Sequence, residues 1–256
     1  MPNIAAMAKF TTHDGLELNY TVWEGDGVPV VLQHGIVADT NANWMSVGVV
    51  AALVKAGHHV ISLDARGHGR SEKPHDPARY SWRAMADDVR ALYDELGLDR
   101  VAQVGYSMGG IISLLVAQAD KRVERLVIGG IGSGVVDCGG IDWRVIDPSD
   151  IETAMTADPA DIVPNARMFR LLADALGADR EAITLVATSL LEAPIENLSA
   201  IAIPALVLAG DADPFAAEPE RLAAALPDAK CVVVPGDHLA AVADPSFSAA
   251  LVDFLK

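Results

Sequence analysis

Apolar residues along this chain follow two rhythms. Residues 30–33, 60–63, 101–104, 123–128, 205–210 and 231–234 are short, nearly continuous apolar runs. Such runs suit strands covered on both faces of a sheet. Residues 16–22 (LELNYTV) alternate with period two, as a half-buried early strand does. Between these runs the spacing changes to that of helices. Residues 44–56 read as a helix stopped by Gly57. The stretch from Ser81 to Leu96 puts Met85, Val89, Leu92 and Leu96 on one helical face, with Gly97 as its stop. Apolar helices follow at 110–116 and at 245–251. Strand and helix in alternation predict a parallel sheet with crossover helices.

One stretch breaks the alternation. Residues 133–200 carry helical but no strand patterning. Residues 165–176 set Met168, Phe169, Leu172 and Leu176 in a helical stripe. Gly177 and Ala178 separate it from a second helix, which Asp179 can cap and which carries Ile183, Val186 and Leu190.

Composition narrows the function classes. The chain has 256 residues, 51% of them hydrophobic, enough for a sizeable core. Its 35 acidic and 19 basic side chains give a formal net charge of −16. That balance argues against nucleic acid, whose phosphates need a basic surface. No apolar run reaches membrane-spanning length. The first nine residues lack the basic start and long apolar stretch of a signal peptide. The expectation is a soluble protein of the cytoplasm that acts on a small molecule, with oligomeric state left open. Cys138 and Cys231 do not suggest a disulfide framework. Cys231 reads as a small core residue of its strand, and Cys138 as a loop residue. No histidine pair has metal-ligand spacing with a third ligand, and no dinucleotide or Walker-type glycine loop is present, so neither metal nor cofactor is expected.

The candidate chemistry lies at the strand ends. Gly105-Tyr106-Ser107-Met108-Gly109 follows the run 101–104 and opens the helix 110–116. A sharp strand-to-helix turn of this pattern strains the serine backbone and exposes its hydroxyl, and small residues on either side let strand and helix approach. The run 205–210 ends in Asp211-Ala212-Asp213-Pro214, and the run 231–234 in Pro235-Gly236-Asp237-His238. A serine hydroxyl needs a base, histidine is a suitable one near neutral pH, and a carboxylate fixes the histidine tautomer. Asp211 and Asp213 are two apart, so strand alternation cannot separate them. Pro214 favours Asp213 by biasing it toward an extended backbone, and Asp237 is a third possibility.

Four segments together carry a resemblance. They are His34-Gly35 after the run 28–32, Asp64-Ala65-Arg66-Gly67-His68-Gly69-Arg70-Ser71, the Ser107 turn, and Gly210-x-x-Asp213 with Gly236-Asp237-His238. The chain resembles the α/β-hydrolase fold family along nearly its whole length, in particular the small bacterial esterase, lactonase and cofactor-free haloperoxidase-like group. The resemblance implies an α/β fold: a mostly parallel eight-stranded sheet, helices on both faces, and a small helical cap. Residues 1–132 and 201–256 would form the core and 133–200 the cap.

It also implies roles. Ser107, Asp213 and His238 would form the triad, and the backbone N–H groups of Ile36 and Met108 the oxyanion hole. His34 and the segment 64–71 would order loops rather than perform chemistry. His13, His58, His59 and His75 read as scattered surface residues. Met155, Met168, Phe169, Phe215 and Leu239 are candidates for an apolar pocket. The expected function is hydrolysis of a small, fairly apolar ester or lactone through an acyl-enzyme on Ser107. Serine at this position argues against the chemistry of haloalkane dehalogenases and epoxide hydrolases, which need a carboxylate there. Two alternatives are carbon–carbon bond hydrolysis or lyase chemistry on the same triad, and a low-turnover ligand receptor or regulatory protein.

Overall fold

The structure is a computed structural model that describes residues 6–190 and 192–256. The first five residues of the N-terminal stretch read for a leader lie outside the described residues.

Eight strands form one sheet: β1 (Ala6–Thr11), β2 (Glu17–Trp23), β3 (Asp26–Gln33), β4 (His58–Leu63), β5 (Val101–Tyr106), β6 (Val123–Gly129), β7 (Ala205–Gly210) and β8 (Ala229–Val234). Their order is β1-β2-β4-β3-β5-β6-β7-β8. β1 and β2 pair antiparallel, as do β2 and β4, and every other pairing is parallel. The expected α/β architecture is therefore met. β1 carried no sequence signal. It is an edge strand whose residues, apart from Phe10, are exposed, so no core face imposed an alternation on it. β8 is the opposite edge. It was expected to be fully buried, but Val233 is 47% exposed and Cys231 half-buried, because only β7 flanks it.

The helices are α1 (Val49–Lys55), α2 (Trp82–Glu95), α3 (Met108–Ala119), α4 (Ser133–Cys138), α5 (Pro148–Thr156), α6 (Arg167–Leu176), α7 (Arg180–Ser189), α8 (Pro219–Ala225), α9 (Ala240–Ala243) and α10 (Pro245–Leu255). Alternate strand residues face opposite layers. Val30, Leu32, Leu206 and Leu208 pack with Leu53, Phe247 and Leu251 of α1 and α10. Val31, Ile61 and Val207 pack on the other face with Val89, Ile112 and Leu222 of α2, α3 and α8. The helix expected over 44–56 is broken. A π-helical turn spans Asn41–Met45, and α1 starts only after Gly48, whose φ of 89° lies in the left-handed region. Between β6 and β7, α4 to α7 replace the next strand, and α5 packs against α6 and α7. α6 is preceded by a one-turn 3₁₀ helix at Pro164–Ala166, so it begins two residues later than its apolar stripe suggests.

The connection after β3 leads to β4 on one side, and the connection after β5 leads to β6 on the other. Outside the carboxyl ends of β3 and β5 the sheet therefore leaves a crevice, the usual ligand position in open α/β sheets.

Candidate active site

Ser107 stands in that crevice. It separates β5 from α3 with φ 56° and ψ −119°, a conformation that costs a non-glycine residue on the order of 1–3 kcal/mol. Its N–H donates to the Gly129 carbonyl at 2.8 Å, tying the turn to β6. The flanking glycines are obligatory. A Cβ on Gly105 would overlap the Gly109 carbonyl, and one on Gly109 would overlap that of Gln33. Strand, turn and helix are as close as backbones can pack.

Asp213 and His238 follow β7 and β8. Asp213 Oδ2 lies 2.8 Å from His238 Nδ1, and both side chains are buried. The other Asp213 oxygen accepts from the Phe215 N–H at 2.9 Å. Asp211 instead accepts from the Gly236 N–H at 2.9 Å, and Asp237 accepts from Leu239 and Ala240, capping the turn into α9. Of the three candidate acids, Asp213 is the one on the histidine. The Tyr106 hydroxyl donates to the His238 carbonyl at 2.7 Å, and its ring lies 5.3 Å from the imidazole. The sequence reading gave this residue no role.

Ser107 and His238 line two lobes of one cavity. The inner lobe, about 40 Å³, is narrow and bounded by Met108, Ile111, Ile131, Ile146, Ile151 and Phe215 among others. The outer lobe, about 210 Å³, is bounded by Asn43, Val47, Tyr106, Met168, Leu172 and Leu239 among others. Ile36 and Phe169 border both. Of the expected pocket residues, Met168, Phe169, Phe215 and Leu239 line the cavity. Met155 does not. It is buried in α5, and Ile151, one turn earlier on the same face, borders the inner lobe instead. Asp142 also lines the inner lobe. Its carboxylate is held ionised by the Arg144 guanidinium at 2.7 Å, which keeps it below the usual range.

Ile36 and Met108, the two expected backbone donors, both line the inner lobe. Met108 opens α3, so no carbonyl of that helix lies one turn before its N–H. The Ile36 N–H makes no hydrogen bond among the described residues. Gly35, just before it, donates to Asn43 Oδ1, and its carbonyl faces His34 Nδ1. His34 Nε2 accepts from the Ala65 N–H at 3.0 Å, so the ring orders the loop.

The segment 64–71 braces the same region. Asp64 accepts from the N–H groups of Thr40 and Arg70. Arg66 is buried between Asp88, at 2.6 and 2.7 Å, and Asp14. His68 is wholly buried and its Nδ1 faces the Arg66 carbonyl at 2.9 Å. Burial, then the neighbouring His34, pushes its pKa down to about 3. His13 and His75 are exposed as expected, whereas His58 and His59 are half-buried at the start of β4. Among the described residues, no group of three or more His, Cys, Asp or Glu side chains could hold a metal, and no helix is long and apolar enough to cross a membrane.

Comparison with known proteins agrees with this fold. Residues 28–168, more than half of the chain, match the family described as the alpha/beta hydrolase fold. The chain belongs to that family. It is 32% identical over 130 residues to the esterase YbfF of Escherichia coli, which aligns with 50% of this chain and 46% of that one. It is 38% identical over 117 residues to a mouse sn-1-specific diacylglycerol lipase, covering 44% of this chain and 36% of the relative. The chain thus spans less than half the length of these curated relatives. Among solved structures, an enol-lactonase from Burkholderia xenovorans superposes with a TM-score of 0.73 at 26% identity, covering 97% of this chain and 99% of that one.

Proposed function

We propose that the protein is a serine hydrolase that cleaves a small, fairly apolar carboxylic ester or lactone. The observation that carries this reading is the His238–Asp213 pair on the cavity that the strained Ser107 also lines. With Nδ1 engaged by Asp213, Nε2 remains to take the Ser107 proton. Ser107 Oγ attacks the carbonyl carbon, and the N–H groups of Ile36 and Met108 hold the oxyanion. His238 then gives its proton to the leaving alkoxide, and water, activated by the same ring, hydrolyses the acyl-enzyme. Residues 133–200 act as the cap. The narrow inner lobe takes the acyl group, and the wider outer lobe, with half-exposed Leu239 on its wall, lets the alcohol leave. The relatives include an esterase and an enol-lactonase, which supports this substrate class. The reading keeps the expectation of a cofactor-free cytoplasmic enzyme.

Fluorophosphonate labelling with p-nitrophenyl butanoate turnover tests it. One label per chain, on Ser107, is expected, and Ser107→Ala should fold normally yet lose about a thousandfold in turnover. An unlabelled chain, or near wild-type turnover by Ser107→Ala, would sink the acyl-enzyme reading.

A further inference from the structure

Gly35 is held at both of its backbone polar groups, which belong to the two peptides that meet at it. The Gly35 N–H donates to Asn43 Oδ1 at 2.8 Å. Because His34 Nε2 accepts from Ala65, its proton is on Nδ1, which donates to the Gly35 carbonyl at 2.8 Å. In a trans peptide the N–H points opposite to the carbonyl. With the Gly35 carbonyl turned to His34, the Ile36 N–H is turned away from it. The residue after Ile36 is strained as well. Val37 is β-branched yet has φ 70°, a left-handed conformation worth on the order of 1–3 kcal/mol of strain. A flip of the peptide would present a carbonyl where the donor should be.

Asn43 fixes the adjoining His34–Gly35 peptide, from which the Gly35–Ile36 peptide departs. It is 6% exposed, sits in the π-helical turn Asn41–Met45, and lines the outer lobe with Ser107. Its Nδ2 is buried with no partner among the described residues, so its one side-chain hydrogen bond is the grip on Gly35. A side chain on Gly35 would begin 3.3 Å from Ser107 Cβ and 3.5 Å from Asn43 Oδ1, so the grip is made beside the nucleophile.

We infer that Asn43 is a positioning residue of the oxyanion site, holding the Gly35 N–H so that the next peptide in the chain sets the Ile36 N–H toward the reacting carbonyl oxygen. The inference rests on the acyl-enzyme reading and adds the residue that keeps one of its donors in place. The test is Asn43→Ala, which removes the acceptor for the Gly35 N–H. Rates are expressed per Ser107 labelled at the end point by fluorophosphonate, which cancels partial misfolding. Asn43→Ala should lose on the order of tenfold to a hundredfold in kcat, with KM within about twofold, less than deleting a donor outright. The Ki of a trifluoromethyl ketone, whose adduct on Ser107 carries the oxyanion, should rise by the same factor. Asn43→Ala with unchanged kcat and Ki, or with the loss confined to KM, would overturn the role. A wild-type chain that labels nothing removes the acyl-enzyme reading and this role with it. A labelled wild type beside an unimpaired Asn43→Ala removes this role alone.

Discussion

Asp213 Oδ2 is 2.8 Å from His238 Nδ1, while Asp211, two residues earlier, spends its carboxylate on the Gly236 N–H. Both aspartates leave the end of the same strand, and the turn at Pro214 directs only one of them inward. Asp213 is buried and Asp211 exposed. One orients a ring and the other closes the turn that precedes it.

The two substitutions should therefore separate widely. Asp213→Asn should cost about four decades in kcat, because an amide favours the wrong tautomer of His238. Asp211→Asn should cost less than about one decade on the same scale. Steady-state kinetics of the two purified variants decides. The reverse ranking would transfer the acid role to Asp211.

Phe169 borders both lobes and stands edge-on to Phe215, with ring centroids 6.1 Å apart. Phe215 in turn lies 4.7 Å from the His238 ring. Apolar pockets discriminate by size at roughly 1–3 kcal/mol per methylene. Wild-type kcat/KM across p-nitrophenyl esters should accordingly peak at short acyl chains. Phe169→Ala should shift the peak to longer chains by joining the lobes. A wild-type maximum at long chains would show that the inner lobe opens into a tunnel.

His68 makes stability depend on pH. Its ordinary pKa is 6.5, and in the fold it is pushed down to about 3. The unfolded chain therefore takes up a proton below pH 6.5 that the folded chain refuses. Stability from this group is complete above that pH and falls toward pH 3, with a slope of about 1.4 kcal/mol per pH unit. His58, also lowered by burial, acts in the same direction. Urea unfolding at pH 7.5 and pH 5 should show the wild type losing about 2 kcal/mol more than His68→Asn. Equal losses would assign the effect to other groups.

The site was legible where chemistry fixes a residue type at a strand end. Ser107, Asp213 and His238 each follow an apolar run that could only be a strand. Edge strand β1 was invisible because it buries almost nothing, and β8 looked central because its valines match those of a core strand. Asn43 escaped notice for a different reason. Its partner is a backbone N–H eight residues away, across a π-helical turn that a periodic reading of 44–56 smooths over. Met155 does not line the cavity: an apolar cap residue is marked for burial without being marked for the side that meets the cavity.

The left-handed backbone of Ser107 sets what the reaction needs against what the chain would choose for durability. Glycine adopts φ 56° freely, and the neighbouring Gly105 and Gly109 show that the turn has no room to relax. Ser107→Gly should melt at a higher temperature than wild type while hydrolysing nothing, as differential scanning fluorimetry would register. On the acyl-enzyme reading, the hydroxyl that would do the chemistry is thus carried at a cost to the fold's own durability.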